Sequence, residues 1–220
     1  MLRGIFVTGT DTGVGKTVAA AALLHRCRAR FPVRYWKPVQ TGIERDDDTA
    51  DVARLGACVP SEVFGSGVRL ERPVSPHLAA RLAGRPIDVE ALIALAEAQP
   101  DSRWVVEGAG GVLVPISDTA SMADLIARLG MPAVVVARTA LGTINHTLLT
   151  VEALRRRSIH AAGVIMVGSP NADNRDAIER YGDVEVLGEM PFFEPLTAEC
   201  LAAWAVTALD RNERLVRLLQ

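Results

Sequence analysis

An apolar run, GIFVTG (residues 4–9), leads directly into the glycine-punctuated stretch GTDTGVGKT (residues 9–17). A segment rich in alanine and leucine then continues to residue 31. The first run reads as a buried strand and the last segment as a helix. Strand, tight glycine loop and helix in succession form the setting in which a loop ending in Gly-Lys-Thr binds phosphate. The N–H groups that open a helix lack partners, and the helix dipole favours an anion there. The spacing is unusual. A standard loop reads G-x-x-x-x-G-K-[ST]. Counted back from Gly15, position 10 holds threonine, and the glycine is at 9. This is a variant loop, in which Lys16 is expected to reach the β- and γ-phosphates and Thr17 to ligate Mg²⁺.

Further strands are expected at residues 33–39, 102–108, 131–138, 159–167 and 184–191. Helices are expected at 15–31, 48–56, 121–129, 143–157, 173–181 and 197–219, the last broken near Asp210. Strands alternating with helical segments require crossover connections, hence an α/β fold with a mainly parallel sheet and helices on both faces. The expected architecture is a P-loop NTPase-like three-layer sandwich. Continuous apolar strands such as AVVVA fit burial on both sides. Residues 58–90 hold Pro60, Pro73, Pro76 and Pro86 and read as an irregular surface insertion, expected to face substrate. A single domain over residues 1–220 is expected.

Apolar residues make up 49% of the chain, enough for a substantial core, and the net charge of −2 offers no general attraction to nucleic acid. Three scattered cysteines, without C-x-x-C spacing, point to a reducing, cytoplasmic compartment rather than a disulfide framework. Spanning helix and signal peptide are both expected to be absent: the N-terminal apolar run is short and enters the loop at once.

In parallel sheets ligands sit beyond the carboxyl ends of the strands, and the polar candidates cluster there. Glu107 closes a strand ahead of Gly108-Ala109-Gly110-Gly111, where a carboxylate for Mg²⁺ is expected and the glycines permit close backbone approach. Lys16 and Lys37 are the only lysines. Lys37 follows the strand-like VRYW and is suited to stabilise a transferring phosphoryl group or an anionic substrate. The acidic run Asp46-Asp47-Asp48, with Asp51, offers further carboxylates, and periodicity does not select among them. The four histidines lack metal-ligand spacing; His25 and His160 read as structural, Trp36 and Trp104 as core.

GTDTGVGKT, YWKPVQTG, RPVSPHLAARLAGRPI, VVEGAGGVLVPISD, ALGTINHTLLT and LGEMPFF occur in this order. Together they resemble the dethiobiotin synthetases over residues 4 to about 195. The resemblance implies ATP-dependent closure of a ureido ring: 7,8-diaminononanoate takes up CO₂ as a carbamate, ATP phosphorylates it, and the second amine displaces phosphate. It implies Lys16 and Lys37 as catalytic residues, and Thr17, Asp51 and Glu107 as Mg²⁺ ligands. Asp51 is selected by its place in a D-x-x-x-L stretch. Nucleotide contacts are implied for Gly13, Val14, Gly15, Val18, Gly108, Ala109, Gly110, Gly168, Pro191, Phe192 and Phe193. Diamine, carbamate or carboxylate contacts are implied for Thr12, Thr41, Gly142, Thr143 and Asn145, the last three across a homodimer interface.

Two departures accompany the resemblance. Many relatives carry an Asn-Asp or Asn-Lys-like pair after the fifth strand; here Met166 to Asn171 reads MVGSPN, so the base is read by backbone or by Asn171. Gly13 stands where some relatives have glutamate. Asp11 has no assigned contact. Two rivals are weaker. A ParA-like switch ATPase wants an early loop lysine, where Asp11 stands, and a basic surface. A cobyrinate-type amidotransferase needs a glutaminase domain.

Overall fold

The computed structural model describes residues 2–220. In chain order it contains β1 (Arg3–Gly9), α1 (Lys16–Arg28), β2 (Arg34–Trp36), β3 (Val39–Thr41), α2 (Asp48–Leu55), β4 (Val63–Phe64), β5 (Val68–Leu70) and α3 (Pro76–Leu82). There follow α4 (Val89–Glu97), β6 (Arg103–Gly111), α5 (Met122–Leu129), β7 (Ala133–Arg138), α6 (Thr143–Arg155), β8 (Ala161–Val167), α7 (Ala172–Gly182), β9 (Val186–Met190), α8 (Ala198–Thr207) and α9 (Arg214–Leu218).

Seven strands form one sheet in the order β4-β2-β6-β1-β7-β8-β9, and every pairing in it is parallel. β1, which feeds the phosphate loop, lies at the centre. Side chains alternate across a strand. Phe6 therefore packs on one face with Trp36, Trp104 and helices α3 to α7. Ile5 and Val7 pack on the other with α1, α2, α8 and α9. The expected sheet with helices on both faces is the one observed.

The expected strand at 33–39 is two elements. Pro38 has no N–H for the ladder and interrupts it. β2 stays in the main sheet, while β3 leaves it and pairs with β5 in a separate two-stranded sheet. The 58–90 insertion is correspondingly more ordered than expected, since it supplies β4, β5 and α3. α4 was not foreseen. Its start is set by Asp88, whose carboxylate accepts from the N–H groups of Glu90 and Ala91. β6 runs beyond residue 108 to Gly111, so Glu107 lies within a strand and not at its end.

Candidate active site

Sheet register brings the key charges together. In β2 and β6, Tyr35 pairs with Val105. Two residues further on along each chain stand Lys37 and Glu107, on the same sheet face by the two-residue repeat. Helix α1 covers that face and presents Thr17. Glu107 is wholly buried, and Lys37 is 3% exposed. Lys37 Nζ lies 2.7 Å from Glu107 Oε1 and 2.5 Å from Asp48 Oδ2. The hydroxyl of Tyr35 donates to Glu107 Oε2 at 2.8 Å. The Thr17 hydroxyl stands 3.0 Å from Asp48 Oδ1 and 3.1 Å from Glu107 Oε1, one proton shared between two carboxylates.

Electrostatics holds Lys37 and Asp48 charged. Burial opposes the Lys37 ammonium, but Glu107 and Asp48 outweigh it and keep its pKa above the ordinary value. Burial likewise opposes the Asp48 carboxylate, and Lys37 overrides it, so Asp48 stays below the usual range. Lys16 has no such partner. Burial, with the repulsion of Lys37, lowers its pKa to about 8. Its Nζ donates to the backbone carbonyl of Asp11 at 2.8 Å.

These contacts account for the displaced glycine. A side chain at Gly9 would place its Cβ 2.8 Å from Val14 Cγ2 and 3.0 Å from the Asp11 carbonyl oxygen, against the Lys16 stem. The loop doubles back over residue 9, so residue 9 must be bare. The next residue carries no such constraint, and threonine fits. Asp11 is also explained: its carboxylate accepts from Thr12 N at 2.7 Å, and Arg138 donates to the Thr12 carbonyl at 3.1 Å.

Of the cavities that border the loop, two adjoin the start of α1. One, of about 610 Å³, is lined by Thr12, Lys16, Thr17, Lys37, Thr41, Asp48, Glu107, Ala109 and Gly110. The insertion lines it through Pro73, Val74, Ser75 and Pro76. The other, of about 390 Å³, is lined by Gly13, Val14, Gly15, Val18, Arg138, Pro191, Phe192 and Phe193. Gly13, Gly15 and Val18 face both. α1 starts between them at Gly15, which provides no side-chain cap, so the first-turn N–H groups remain for an anion. Gly168 does not line the smaller cavity; its N–H donates to the Met190 carbonyl at 2.9 Å. The Asn171 side chain caps α7, its Oδ1 accepting from Asn174 N at 2.9 Å.

Asp51 must be corrected. It lies outside the cluster, its side chain about half exposed and paired with Arg54 at 2.7 Å. Helical rise carries a residue three positions on about 4.5 Å further along the axis. Only Asp48, at the start of α2, comes within reach of Lys37. Asp47 caps that helix through Thr49 N and Ala50 N. Asp48 had been visible in the acidic run, but the choice within the run depended on where the cap falls. Tyr35 carried no sequence signal, being an ordinary strand aromatic. Gly108 lines neither cavity; its carbonyl stands 3.4 Å from Lys37 Nζ. Gly142, Thr143 and Asn145 do not line the larger cavity. They open α6, with Gly142 as an uncapped N-terminus. Asn145, like Leu141 before it, is exposed.

The oxygen set suits a hard cation. One hydroxyl and two carboxylates converge at Thr17, Asp48 and Glu107. No group of three His, Cys, Asp or Glu among the described residues forms a metal site. Mg²⁺ prefers this arrangement, with few carboxylates and the remaining positions left to phosphate and water.

A family model described as an AAA domain matches residues 3–200. The ATP-dependent dethiobiotin synthetase BioD of Paramagnetospirillum magneticum is 49% identical over 201 residues, 91% of this chain and 94% of that protein. This chain belongs to the dethiobiotin synthetase family. The Agrobacterium fabrum synthetase is 46% identical over 195 residues, 89% of each chain. Among solved structures, a ParA family ATPase from Chlorobium tepidum aligns with a TM-score of 0.58 over 100% of this chain and 98% of its own. At 11% identity it shares the fold alone. The synthetase family thus occupies the same parallel-sheet scaffold as that ATPase.

Proposed function

We propose that this protein is an ATP-dependent dethiobiotin synthetase. The observation that carries the reading is the buried Lys37, held between Asp48 and Glu107 at the floor of a cavity that opens onto the first turn of α1. One amine of 7,8-diaminononanoate attacks CO₂ and loses a proton, giving a carbamate. A carbamate oxygen attacks the γ-phosphorus of ATP and ADP leaves. The second amine then attacks the carbonyl carbon of the carbamic–phosphoric anhydride, phosphate departs with the C–O bond, and a proton is released as the ureido ring closes.

Carbamate and nucleotide are both anions. Lys16, Lys37 and the α1 N–H groups offset their repulsion and the charge that builds during transfer. No protein nucleophile is needed, because the substrate amine attacks. Thr12 and Thr41, which line the larger cavity, contact the diamine and carbamate. The base occupies the cavity flanked by Pro191, Phe192 and Phe193, where apolar contact and backbone read it. Thr17, Asp48 and Glu107 would hold Mg²⁺, which when bound neutralises phosphate charge. We further propose a homodimer in which Gly142, Thr143 and Asn145 receive the substrate carboxylate at the partner's site. The uncapped α6 terminus and the exposed Leu113, Leu141 and Leu149 nearby support this. Free Cys27, Cys58 and Cys200 fit a reducing compartment, and the proposed location is the cytoplasm. Among the described residues no helix is long and apolar enough to cross a membrane.

Incubation with diaminononanoate, bicarbonate and MgATP should yield dethiobiotin by mass spectrometry. Absence of product, together with ADP release that the diamine does not stimulate, would sink the assignment.

A further inference from the structure

The segment just before the larger cavity's proline wall grips Lys37 from behind. Trp36 Nε1 donates to the Ser66 carbonyl at 2.7 Å, and Val68 N to the Pro38 carbonyl at 2.8 Å. Gly67, at φ +146°, lets the two backbones touch: a Cβ there would stand 2.6 Å from the Pro38 oxygen. The grip ends in Arg69. Its Nη1 donates to the Lys37 carbonyl at 2.9 Å, and its Nη2 to the Thr49 hydroxyl at 3.3 Å. Thr49 follows Asp48 in α2. One planar guanidinium therefore spans the backbone of Lys37 and the helix turn that carries Asp48. A second polar side chain braces the same turn. Gln40, 1% exposed, donates to the Asp46 carbonyl at 3.0 Å, and its Oε1 lies 3.5 Å from the Thr49 hydroxyl.

We propose that Arg69 is a positioning residue that sets the separation of Lys37 and Asp48 and thereby shapes the Thr17–Asp48–Glu107 oxygen set for its cation; this rests on the synthetase reading above. Lys37 directly follows the last paired residue of β2, Trp36, which anchors it on the sheet side. Asp48 has no such anchor: it begins a helix whose preceding residues 42–47 lie outside the sheet. α2 packs on α1 through Val52 and Leu55, and Gln40 braces the loop before it, but neither contact ties its first turn directly to the Lys37 backbone. Arg69 provides that tie, and its fork geometry permits two bonds where lysine makes one. Nothing in Arg69 needs to touch substrate.

The test compares Arg69→Lys, Arg69→Met and Thr49→Val with the wild type, using full-length protein. Two readouts are taken. One is kcat and KM for ATP in dethiobiotin formation. The other is Mn²⁺ affinity, by electron paramagnetic resonance, in the presence of a non-hydrolysable ATP analogue. Arg69→Met should lower kcat about 30-fold and weaken Mn²⁺ about 10-fold, with KM for ATP within about threefold. Thr49→Val removes one branch of the tie and should reproduce the Mn²⁺ loss in part. Arg69→Lys should recover less than half of the defect. Unchanged Mn²⁺ affinity in Arg69→Met overturns the proposal, as does a loss of kcat matched by the loss of folded protein in thermal melts. If Arg69→Met does not fold, Thr49→Val with wild-type Mn²⁺ affinity overturns it. A wild type that makes no dethiobiotin but binds Mn²⁺ in an Arg69-dependent way would reject the synthetase reading and leave the positioning role standing.

Discussion

Lys37 Nζ sits 2.7 Å from Glu107 Oε1 with both side chains out of water, and Asp48 closes the other side of the ammonium at 2.5 Å. Two carboxylates around one ammonium leave a negative surplus that suits a cation. The same contacts hold Lys37 in one place, so it can meet an incoming anion without reorganising.

Removing Lys37 should separate chemistry from binding. Lys37→Met is expected to cut kcat by about 1,000-fold, as loss of a preorganised charge does, with nucleotide affinity changed less than about fivefold. Steady-state kinetics and titration with a fluorescent nucleotide check both. It also leaves Glu107 buried beside an uncharged neighbour, so the melting temperature should fall, by the equivalent of about 3 kcal/mol. Equal losses in kcat and nucleotide affinity would instead make Lys37 a nucleotide-binding residue.

Asp48 and Asp51 make opposite predictions three residues apart. Asp48→Asn should lower activity by about 100-fold and raise the Mg²⁺ concentration needed for half-maximal rate. Asp51→Asn removes only an exposed pair with Arg54 and should stay within about twofold, since such pairs contribute at most ~1 kcal/mol. A severe Asp51→Asn defect would restore the ligand assignment suggested by resemblance alone.

Lys16 predicts a pH dependence. Its folded pKa of about 8 lies below the ordinary 10.5, so between these values the unfolded chain holds the extra proton. The cost of burying the charged amine is therefore fully present below pH 8, and the free protein gains stability as pH rises from there. Nucleotide phosphates need the charged form, so binding runs the other way. In Mg²⁺-free titrations affinity should weaken above pH 8, by up to about tenfold per pH unit. Lys16→Arg, which stays charged, should abolish the slope. A flat wild-type profile from pH 7 to 9.5 would refute the linkage.

Gly9 offers a steric test. Gly9→Ala forces a methyl group against Val14 and the Asp11 carbonyl, an overpacking expected to cost about 1–3 kcal/mol. Thermal melting should register it, and nucleotide affinity should fall with it, because Asp11 also receives Lys16. Thr10→Gly, at the standard glycine position, should be tolerated.

The homodimer is tested by complementation. Lys37→Met and Asn145→Ala subunits are each expected to be inactive alone. After mixing and subunit exchange, one site in each mixed dimer regains both residues. Random pairing then restores about a quarter of wild-type activity. Additive residual activity only, at any mixing ratio, would reject a shared site.

The linear chain was most informative where function depends on local order. Strand, loop and helix around GTDTGVGKT follow from periodicity and glycine placement alone, because a helix N-terminus makes its own anion site. Lys16, Thr17 and Glu107 were legible for the same reason: each follows or lies in a strongly patterned strand. Asp48 was not. Which member of an acidic run meets a lysine eleven residues earlier depends on where α2 is capped and on how far it stands from β2. Those distances are set by Arg69, Gln40 and the β3–β5 sheet, contacts between segments that no local pattern encodes. The purpose of Gly9 was likewise hidden, since its constraint comes from Val14 and Asp11 folding back over it rather than from any backbone conformation of its own. Local sequence determined the phosphate-facing loop and the strand and helix that flank it; tertiary packing decided which carboxylate completes the site and how firmly Lys37 is held.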